Sequence, residues 1–574
     1  MRRKSLPVLF ATLLFSASSL AKVSLEIDGI ENEVKDNVDA YLSSVPESDY
    51  ATTLRFQSRL QKMIVEALNA LGYYHPEIDF DVKEIEGEDD TLLVHIESGE
   101  VTRLEVVDIV ITGEAENDPD FARVIGQSGL KKGEALNHGK YDSLKSSLRN
   151  LALQKGYFNG AYVVNRLEVA PELNQAFIRL HYDSGIRYQF GKTSIEGSQI
   201  EEGRVASLQP YKEGDPYLVS KVGEHNQNLS NTDWFSSVFV EPDLNDLDGG
   251  RELPMKVTVS PQSRNQFETG IGYSTDVGVR GTFKWKKPWI NPQGHSFDSS
   301  FSISEPEQYV TASYKIPLED VLHEYYQVQY GLKKVDNRDT DSLESNLSLE
   351  RHWLVDSGWH RTMFVRYLIE SYEQGILDDV GQFVLPGFTF SRTRTRTQGS
   401  LITWGDKQSV TIEYGSSAFV SETNVVRLLA STSWIRSAGE NHRGVFRLGG
   451  GANFVEDFDK LSPSLRFFAG GDNNLRGYEY ESISPLDSSG ALAGAKYMAT
   501  GAVEYQYRLT GNWWGAVFID GGDAFDYTPE WKTGTGFGIR WVSPVGPIRL
   551  DFAWGLDADP GDQFRVHFSL GPEL

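Results

Sequence analysis

The C-terminal half of this chain alternates between apolar and polar residues, and this period constrains its fold more than any other feature. Phe267, Ile271 and Tyr273, for example, alternate with polar residues and glycines. Successive side chains of a β-strand point to opposite faces, so this period predicts strands with one apolar and one polar face. The same period recurs in four later segments: 279–285, 537–541, 548–554 and 564–570.

Alternation alone leaves two folds open, a soluble β-sandwich and a transmembrane β-barrel. Residues 263–574 show no helical period, and 312 residues would make an unusually large single sandwich. At about 20 residues per strand and connection, this length suits a closed all-β transmembrane barrel of about 16 antiparallel strands. Aromatic girdles mark the membrane interfaces of such barrels, and five tryptophans fit this role: Trp285, Trp289, Trp513, Trp514 and Trp541.

The N-terminal half is built from a repeat instead. Three similar tripeptides stand 84 residues apart: Ile27-Asp28-Gly29, Ile111-Thr112-Gly113 and Ile195-Glu196-Gly197. Each follows a strand-like run and precedes helical stretches and two alternating strands. The repeat predicts three α+β modules of about 80 residues, each large enough for a small core. Their predicted bounds are 22–102, 103–185 and 186–262.

The end of the main helix is marked in each module. Gly72, Gly156 and Asp233 stand just before an aromatic residue, as in "ALGYYHP" and "QKGYFNG". Glycine, and less often Asp or Asn, accepts the left-handed backbone that terminates many helices. We therefore predict left-handed geometry at all three positions.

The first 21 residues have the pattern of a secretory signal. Arg2, Arg3 and Lys4 precede a ten-residue apolar run, and the small residues Ser19 and Ala21 follow it. This run is too short to span a bilayer. The pattern predicts export, with cleavage after Ala21.

Composition argues against several classes of function. The formal net charge of −26 suits nucleic acid poorly, so we expect no nucleic-acid partner. The chain has 11 His and no Cys, and none of the usual ligand or nucleophile spacings is present. We expect neither an enzyme nor a metal site or cofactor.

One loop cation has two candidate partners. In "TGAVEYQYRL" and "WWGAVFIDGG", the alternation places Glu504 and Asp520 on the polar face, toward the barrel lumen. Two inward carboxylates repel each other unless a cation joins them. Arg476, in the preceding loop "FAGGDNNLRGYEYE", could do so with its forked guanidinium. The alternative is a solvated loop charge. We predict a clamp inside the lumen that comprises Arg476, Gly477, Tyr478, Glu504 and Asp520.

The closure of the barrel is predicted to be weak. A barrel closes by pairing its first and last strands. Gly270 and Gly272 flank Ile271 in the first strand and weaken its pairing. The last strand carries Val566 and Phe568 and reaches Gly571-Pro572, where proline cannot donate to a ladder. These seven residues form the predicted lateral seam, and a disulfide near Ile271 and Val566 is expected to lock it.

These motifs carry a family resemblance. Leu475-Arg476-Gly477-Tyr478, Phe518-Ile519-Asp520-Gly521-Gly522 and the segment from Gly538 to Asp551 resemble the signature of the outer-membrane insertase superfamily. The three N-terminal repeats resemble polypeptide-transport-associated (POTRA) domains. Within the superfamily, three modules and this length are most similar to the TamA-type barrel subunits of translocation and assembly modules.

The resemblance implies a location, a function and partners. It implies an outer-membrane barrel with periplasmic modules that inserts client β-barrel proteins, notably autotransporters, among the outer-membrane lipids. An inner-membrane-anchored subunit of the TamB type would dock on the first module. Two alternatives stay open: a two-partner-secretion exporter that passes its substrate through the pore, and a passive porin. Exporters usually have two modules and a plug helix, and porins need no modules.

Overall fold

The computed structural model describes residues 23–83, 90–244, 250–355, 357–399, 401–543 and 546–570. The predicted signal and the seam residues Gly571 and Pro572 lie outside the described residues. The chain forms two compact units. The first comprises the described residues of Met1–Lys192, Tyr211–Val222 and Pro242–Met255, and the second comprises those of Thr193–Pro210, Gly223–Glu241 and Lys256–Leu574.

The first module packs two helices on a three-stranded sheet. In chain order its elements are β1 (Ser24–Asp28), α1 (Asn32–Leu42), α2 (Leu54–Ala70), β2 (Glu77–Lys83) and β3 (Thr91–Glu97). The central strand β3 pairs with β1 in parallel and with β2 in antiparallel. Leu60, Ile64 and Leu68 lie one helical turn apart on α2, so all three face the sheet and are fully buried.

The second module repeats this arrangement. Its elements are β4 (Arg103–Thr112), α3 (Pro119–Gln127), α4 (His138–Lys155), β5 (Ala161–Ala170) and β6 (Gln175–Asp183), with sheet order β4-β6-β5. Leu144, Leu148 and Ala152 form the buried stripe of α4 against Ile178 and Leu180 of the central strand. These apolar residues recur once per helical turn, as they do in α2, so both helices bury one face against their sheet.

The third module contains β7 (Gln189–Glu196), α5 (Glu202–Ala206), α6 (Val219–Ser230), β8 (Phe235–Pro242) and β9 (Glu252–Pro261), with sheet order β7-β9-β8. The predicted α+β repeat is therefore confirmed. Gly72, Gly156 and Asp233 have φ values of 91°, 86° and 59°, which confirms left-handed geometry at the three helix ends. No helix among the described residues is long and apolar enough to cross a membrane.

Within the described residues, the C-terminal half forms a closed barrel of 16 antiparallel strands, as the alternation and length predicted. The strands are β10 (Gln266–Ser274), β11 (Gly278–Lys287), β12 (Ser296–Ile303), β13 (Glu307–Pro317), β14 (Glu324–Asn337), β15 (Thr340–Leu354), β16 (His360–Gln374), β17 (Leu377–Gln398), β18 (Leu401–Gly415), β19 (Val425–Ala438), β20 (His442–Val455), β21 (Tyr497–Thr510), β22 (Trp513–Phe525), β23 (Lys532–Ser543), β24 (Gly546–Gly555) and β25 (Phe564–Leu570).

Alternation separates the two faces of the barrel wall. Val503 and Tyr505 are about half exposed on the outer face, whereas Glu504 between them is 5% exposed. Trp513 and Trp541 stack on each other on the outer face, with ring centroids 5.4 Å apart. The girdle assignment was wrong for Trp514, because it follows Trp513 directly, so its side chain points inward and is buried.

Trp289 was also assigned wrongly to the girdle. It packs against the hydrophobic core of the third module, next to Trp234 and Val321. Its indole nitrogen donates a hydrogen bond to the carbonyl of Gln262 at 2.8 Å. Trp289 lies in a connection beyond the end of β11, where strand alternation no longer decides the direction of a side chain.

Candidate functional site

A long loop, residues 456–496, connects β20 to β21 and lies inside the barrel. Its Leu461 and Leu465 pack against Leu368, Phe383 and Leu385, which point inward from β16 and β17. Several other apolar residues of the loop are also buried: Phe467, Ala469, Leu475 and Ala495. Burial of these apolar side chains, each contributing about 25 cal/mol per Å² removed from water, orders the loop against the inner wall.

Arg476, near the middle of the long loop, is 1% exposed and faces two carboxylates. Its Nε and Nη2 donate to the two oxygens of Asp520 at 2.7 and 2.8 Å, which is a bidentate pair. Its Nη1 donates to Oε2 of Glu504 at 2.5 Å. The ring centroid of Phe518 lies 3.5 Å from Cζ, so the guanidinium also stacks on an aromatic face. The structure therefore brings Arg476, Glu504 and Asp520 together.

A second arginine belongs to the same network. Arg540 donates from Nε and Nη2 to Glu504 at 3.0 and 2.9 Å. Its Nη1 also lies 2.6 Å from Oδ1 of Asp551, whose other oxygen is 3.4 Å from Nη1 of Arg476. Arg476 and Arg540 thus face three carboxylates in a buried cluster. Buried charges are costly unless paired, so each member depends on the others.

Glycines in the loop and in the wall let the loop backbone approach the wall closely. Gly477 has φ of 93°, and a Cβ there would lie 2.7 Å from the amide nitrogen of Gly555. A Cβ at Gly534 of β23 would lie 1.8 Å from the carbonyl oxygen of Arg476. Tyr478 is buried, and its hydroxyl donates to the carbonyl of Thr533 at 3.2 Å. These contacts set the loop backbone directly on β23 and β24.

A hydrogen-bonded link joins the long loop to both ends of the barrel sheet. His567 of β25 accepts a hydrogen bond at Nε2 from the amide of Gly477 at 3.0 Å. Its Nδ1 lies 2.6 Å from Oδ1 of Asp472 in the loop. The amide of Asp472 donates in turn to Asp276, in the turn after β10, at 2.7 Å. Both ring nitrogens are engaged in hydrogen bonds, so this cluster fits a structural link better than a metal site.

The barrel closes where β10 meets β25, and among the described residues this closure consists of one register pair, Ser274 with Ser569. By contrast, β10 makes nine such pairs with β11, and β25 makes seven with β24. Two hydrogen bonds between Thr275 and Phe568, each 3.1 Å long, supplement the single pair. We call this closure the seam.

The structure places the predicted seam residues as follows. Gly270, Ile271 and Gly272 lie in β10 with ladder partners in β11, and Ile271 is 85% exposed. Val566 and Phe568 lie in β25 with partners in β24. Ile271 and Val566 do not face each other. Given the Ser274–Ser569 register, they stand six residues apart along the strands, about 20 Å, which is too far for a disulfide.

Sequence reasoning missed several members of the site. Arg540, Asp551 and His567 are each buried on the inner face, between outward apolar neighbours. The alternation that placed Glu504 inward applies equally to them, so a complete count of inward charges would have found them. Asp276 and Asp472 lie in connections without alternation, and the local sequence carries no signal for their meeting.

Fold and site together define an outer-membrane β-barrel protein with POTRA modules. Residues 263–573 match the Omp85 superfamily domain, and residues 24–98 match the POTRA domain described as TamA domain 1. The chain therefore belongs to the Omp85 superfamily. Its barrel lies in the outer membrane, and its N-terminal modules lie in the periplasm.

Several known outer-membrane proteins are similar to this chain. The outer membrane protein assembly factor BamA of Nitratidesulfovibrio vulgaris is 24% identical over 414 residues, which are 66% of this chain and 50% of the relative. BamA of Neorickettsia risticii is 21% identical over 485 residues, covering 76% of this chain and 62% of the relative. The chain thus spans about half to three-fifths of these relatives. The crystal structure of BamA from Haemophilus ducreyi lacking POTRA domains 1–3 has the same fold, with a TM-score of 0.69 and 15% identity over 81% of this chain and 99% of that one.

Proposed function

We propose that this protein inserts β-barrel proteins, autotransporters among them, into the outer membrane through the seam. The observation that carries this proposal is that, among the residues the structure describes, β10 and β25 share one register pair, Ser274 with Ser569. A ladder of one pair contributes far less than the seven to nine pairs on either side of it. The seam is therefore the place where the barrel opens at least cost.

An opened seam exposes the backbone of β10. Within the described part of the chain, Gln266–Tyr273 have ladder partners in β11 on one side and none in β25 on the other. Free amide and carbonyl groups along such an edge can pair with an incoming strand. A client could thus add its strands at this edge. Because folding of the client is itself downhill, no nucleotide or other cofactor is required.

The long loop supports this role by holding the two sides of the seam together. Asp472 binds His567 of β25 on one side and Asp276 beyond β10 on the other. The loop clamp of Arg476, Gly477, Tyr478, Glu504 and Asp520 would fix the loop in place while the seam opens and closes. Its role is conformational rather than catalytic.

A disulfide across the seam tests the proposal. The chain has no cysteine, so Ser274→Cys with Ser569→Cys introduces the sole pair of thiols. We expect the oxidised variant to lose insertion of a client autotransporter barrel into reconstituted vesicles and to regain it on reduction. The matched control is Ser300→Cys with Thr311→Cys, a facing pair in β12 and β13 away from the seam. Full activity with the seam locked would overturn the proposal.

Conductance separates this function from its alternatives. An exporter or a porin needs an open lumen, whereas here the loop fills part of it with buried side chains. In planar bilayers we expect small, flickering openings from an assembly factor. A large steady pore would favour the porin instead, and transit of a secreted substrate through the lumen would favour the exporter.

The first module is our proposed docking site for an inner-membrane-anchored partner of the TamB type. The match of this module to TamA domain 1 supports the assignment. A groove of about 380 Å³ lies between β1 and α1, lined by Leu25, Ile27, Leu42, Tyr50, Lys35 and Asp39 among others. β1 is also an edge strand, so a partner strand could pair with it there.

Charge reversal tests this docking site. Lys35→Glu with Asp39→Lys inverts two charges at the groove, and we expect it to abolish co-purification of the partner. Lys62→Glu with Glu66→Lys makes the same change on exposed positions of α2, away from the groove, and serves as the control. Equal loss of partner in both variants would speak against the groove.

A further inference from the structure

A cluster of arginines lies on the outer surface of the barrel at one end of three neighbouring strands. It comprises Arg392, Arg394 and Arg396 of β17 and Arg436 of β19, arranged around Trp404 and Asp406 of β18. We call it the arginine patch. It stands out because the chain as a whole carries a net charge of −26.

The register places the patch on the lipid-facing side. Phe390 of β17 is 40% exposed on the outer face, and the alternation continues outward through residues 392, 394 and 396. Arg394 pairs in register with Asp406, and Arg396 pairs with Trp404. Trp404 is in turn opposite Arg436. Side chains directly opposite each other share a face, so the whole patch points away from the lumen.

The patch lies at the periplasmic end of the barrel. The start of β17 adjoins the long loop, where the amide of Ile376 donates to Asp487 at 3.1 Å. Neighbouring strands of the barrel are antiparallel, so β17, seven strands after β10, runs in the opposite direction to β10. Its last residue, Gln398, therefore lies at the end of the barrel where β10 begins after the third module. Arg394 is four residues beyond Phe390, roughly 13 Å along the strand. The arginines thus begin where the apolar outer band ends.

Aromatic rings and one carboxylate hold the guanidinium groups in place. The Cζ atoms of Arg394, Arg396 and Arg436 lie 5.4, 5.2 and 4.5 Å from the centroid of Trp404. Asp406 is fully buried beneath them and accepts from Nη2 of Arg394 at 2.9 Å. Asp406 forms ion pairs with Arg394 and Arg436, so the four guanidinium groups of the patch retain excess positive charge.

We propose that the arginine patch binds the phosphate of an anionic phospholipid headgroup in the periplasmic leaflet of the outer membrane. A guanidinium presents a planar fork of donors that matches phosphate oxygens. Tryptophan is favoured at the level of the headgroups, and cationic residues there are attracted to anionic lipid. The patch supplies cationic groups and a tryptophan next to a surface already in contact with acyl chains. It is independent of the seam.

The test compares lipid binding by two variants of the full-length protein. Arg392→Gln with Arg396→Gln removes two charges while Arg394 and Arg436 continue to cover Asp406. The control is Lys334→Gln with Lys407→Gln, which removes two charges elsewhere, since Lys407 lies on the opposite face of β18 from Asp406. Association of phosphatidylglycerol and of phosphatidylcholine with the detergent-solubilised protein is measured by native mass spectrometry.

We expect the patch variant to bind phosphatidylglycerol about tenfold more weakly, while the control matches the parent protein. Phosphatidylcholine binding should be the same in all three proteins. Unchanged phosphatidylglycerol binding in the patch variant, or an equal loss in the control, would overturn the proposal. Equal competition by the soluble headgroup glycerophosphoglycerol would overturn the assignment to membrane lipid. Gel mobility with and without heating verifies that each barrel is folded.

Discussion

Arg476 and Asp520 form a buried bidentate ion pair although 44 residues separate them in the chain. The pair joins the long loop to the inner wall of the barrel at β22. Asp520 has its cationic partner in Arg476, whereas Glu504 is shared between Arg476 and Arg540. The two carboxylates therefore depend on Arg476 to different degrees, and this difference can be tested.

Arg476→Ala should remove the hydrogen-bonded cation from buried Asp520, whereas Arg540 continues to neutralise Glu504. Breaking a buried pair from one side costs about 3–5 kcal/mol. We expect a folded barrel whose long loop becomes sensitive to protease and whose client insertion falls.

The double variant Arg476→Ala with Asp520→Asn removes the uncompensated charge. It should therefore recover part of the lost free energy of unfolding, measured by urea titration in lipid vesicles. A double variant less stable than Arg476→Ala alone would contradict this account of the pair.

Gly534→Ala should displace the long loop, because the new methyl group would meet the backbone oxygen of Arg476 at 1.8 Å. Overpacking of this kind costs about 1–3 kcal/mol. Gly521→Ala is the matched control, since its Cβ has no neighbour closer than 3.8 Å. We expect a protease-sensitive loop in the first variant alone, as judged by limited proteolysis. Equal protease resistance would show that the loop backbone shifts without losing its contacts.

Asp472→Ala should loosen the seam, because Asp472 accepts from both His567 and Thr275, one on each side of the closure. Loss of such a buried acceptor costs about 1–3 kcal/mol. In the Ser274→Cys, Ser569→Cys background, we expect slower formation of the disulfide after a mild oxidant is added. Asp562→Asn, in the exposed turn before β25, is the control. An unchanged rate would mean that the Ser274–Ser569 ladder pair holds the seam closed without help from Asp472.

The third module should lose stability as the pH falls. Burial lowers the pKa of His225 in α6 to about 4, against an ordinary value near 6.5. Between these values the unfolded state binds more protons than the folded state, so stability rises with pH. The contribution of His225 is thus complete above pH 6.5 and is lost as the pH falls toward 4.

Hydrogen exchange of residues 219–230 measures this effect in the full-length protein, after correction for the intrinsic pH dependence of exchange. We expect protection to decrease between pH 7 and pH 4.5 in the parent protein and to change much less in His225→Gln. The control His323→Gln removes a half-exposed histidine from a barrel turn and should leave the pH dependence intact. If His225→Gln shows the same pH dependence of protection as the parent protein, groups other than His225 cause that dependence.

The period of apolar residues and the length of the chain determined much of the fold of this protein. The alternation after residue 263 predicted two-faced strands, and the length predicted their number. Strand direction and side-chain direction are properties of the local backbone, so they can be read from neighbouring residues. The same reasoning placed Glu504 and Asp520 on the inner face. It failed at Trp289, in a connection, and at Trp514, where adjacent tryptophans point to opposite faces.

The tertiary structure alone decided which of these residues meet. The seam register joins Ser274 to Ser569, and it separates Ile271 from Val566, because closure depends on the tilt and stagger of all 16 strands. The link through Asp276, Asp472 and His567 joins two connections and a strand up to 291 residues apart. The arginine patch likewise arises when three strands align their rows of side chains. A one-dimensional pattern gives each residue its face, but contacts across a closed sheet depend on a register that the chain sets only when the barrel forms.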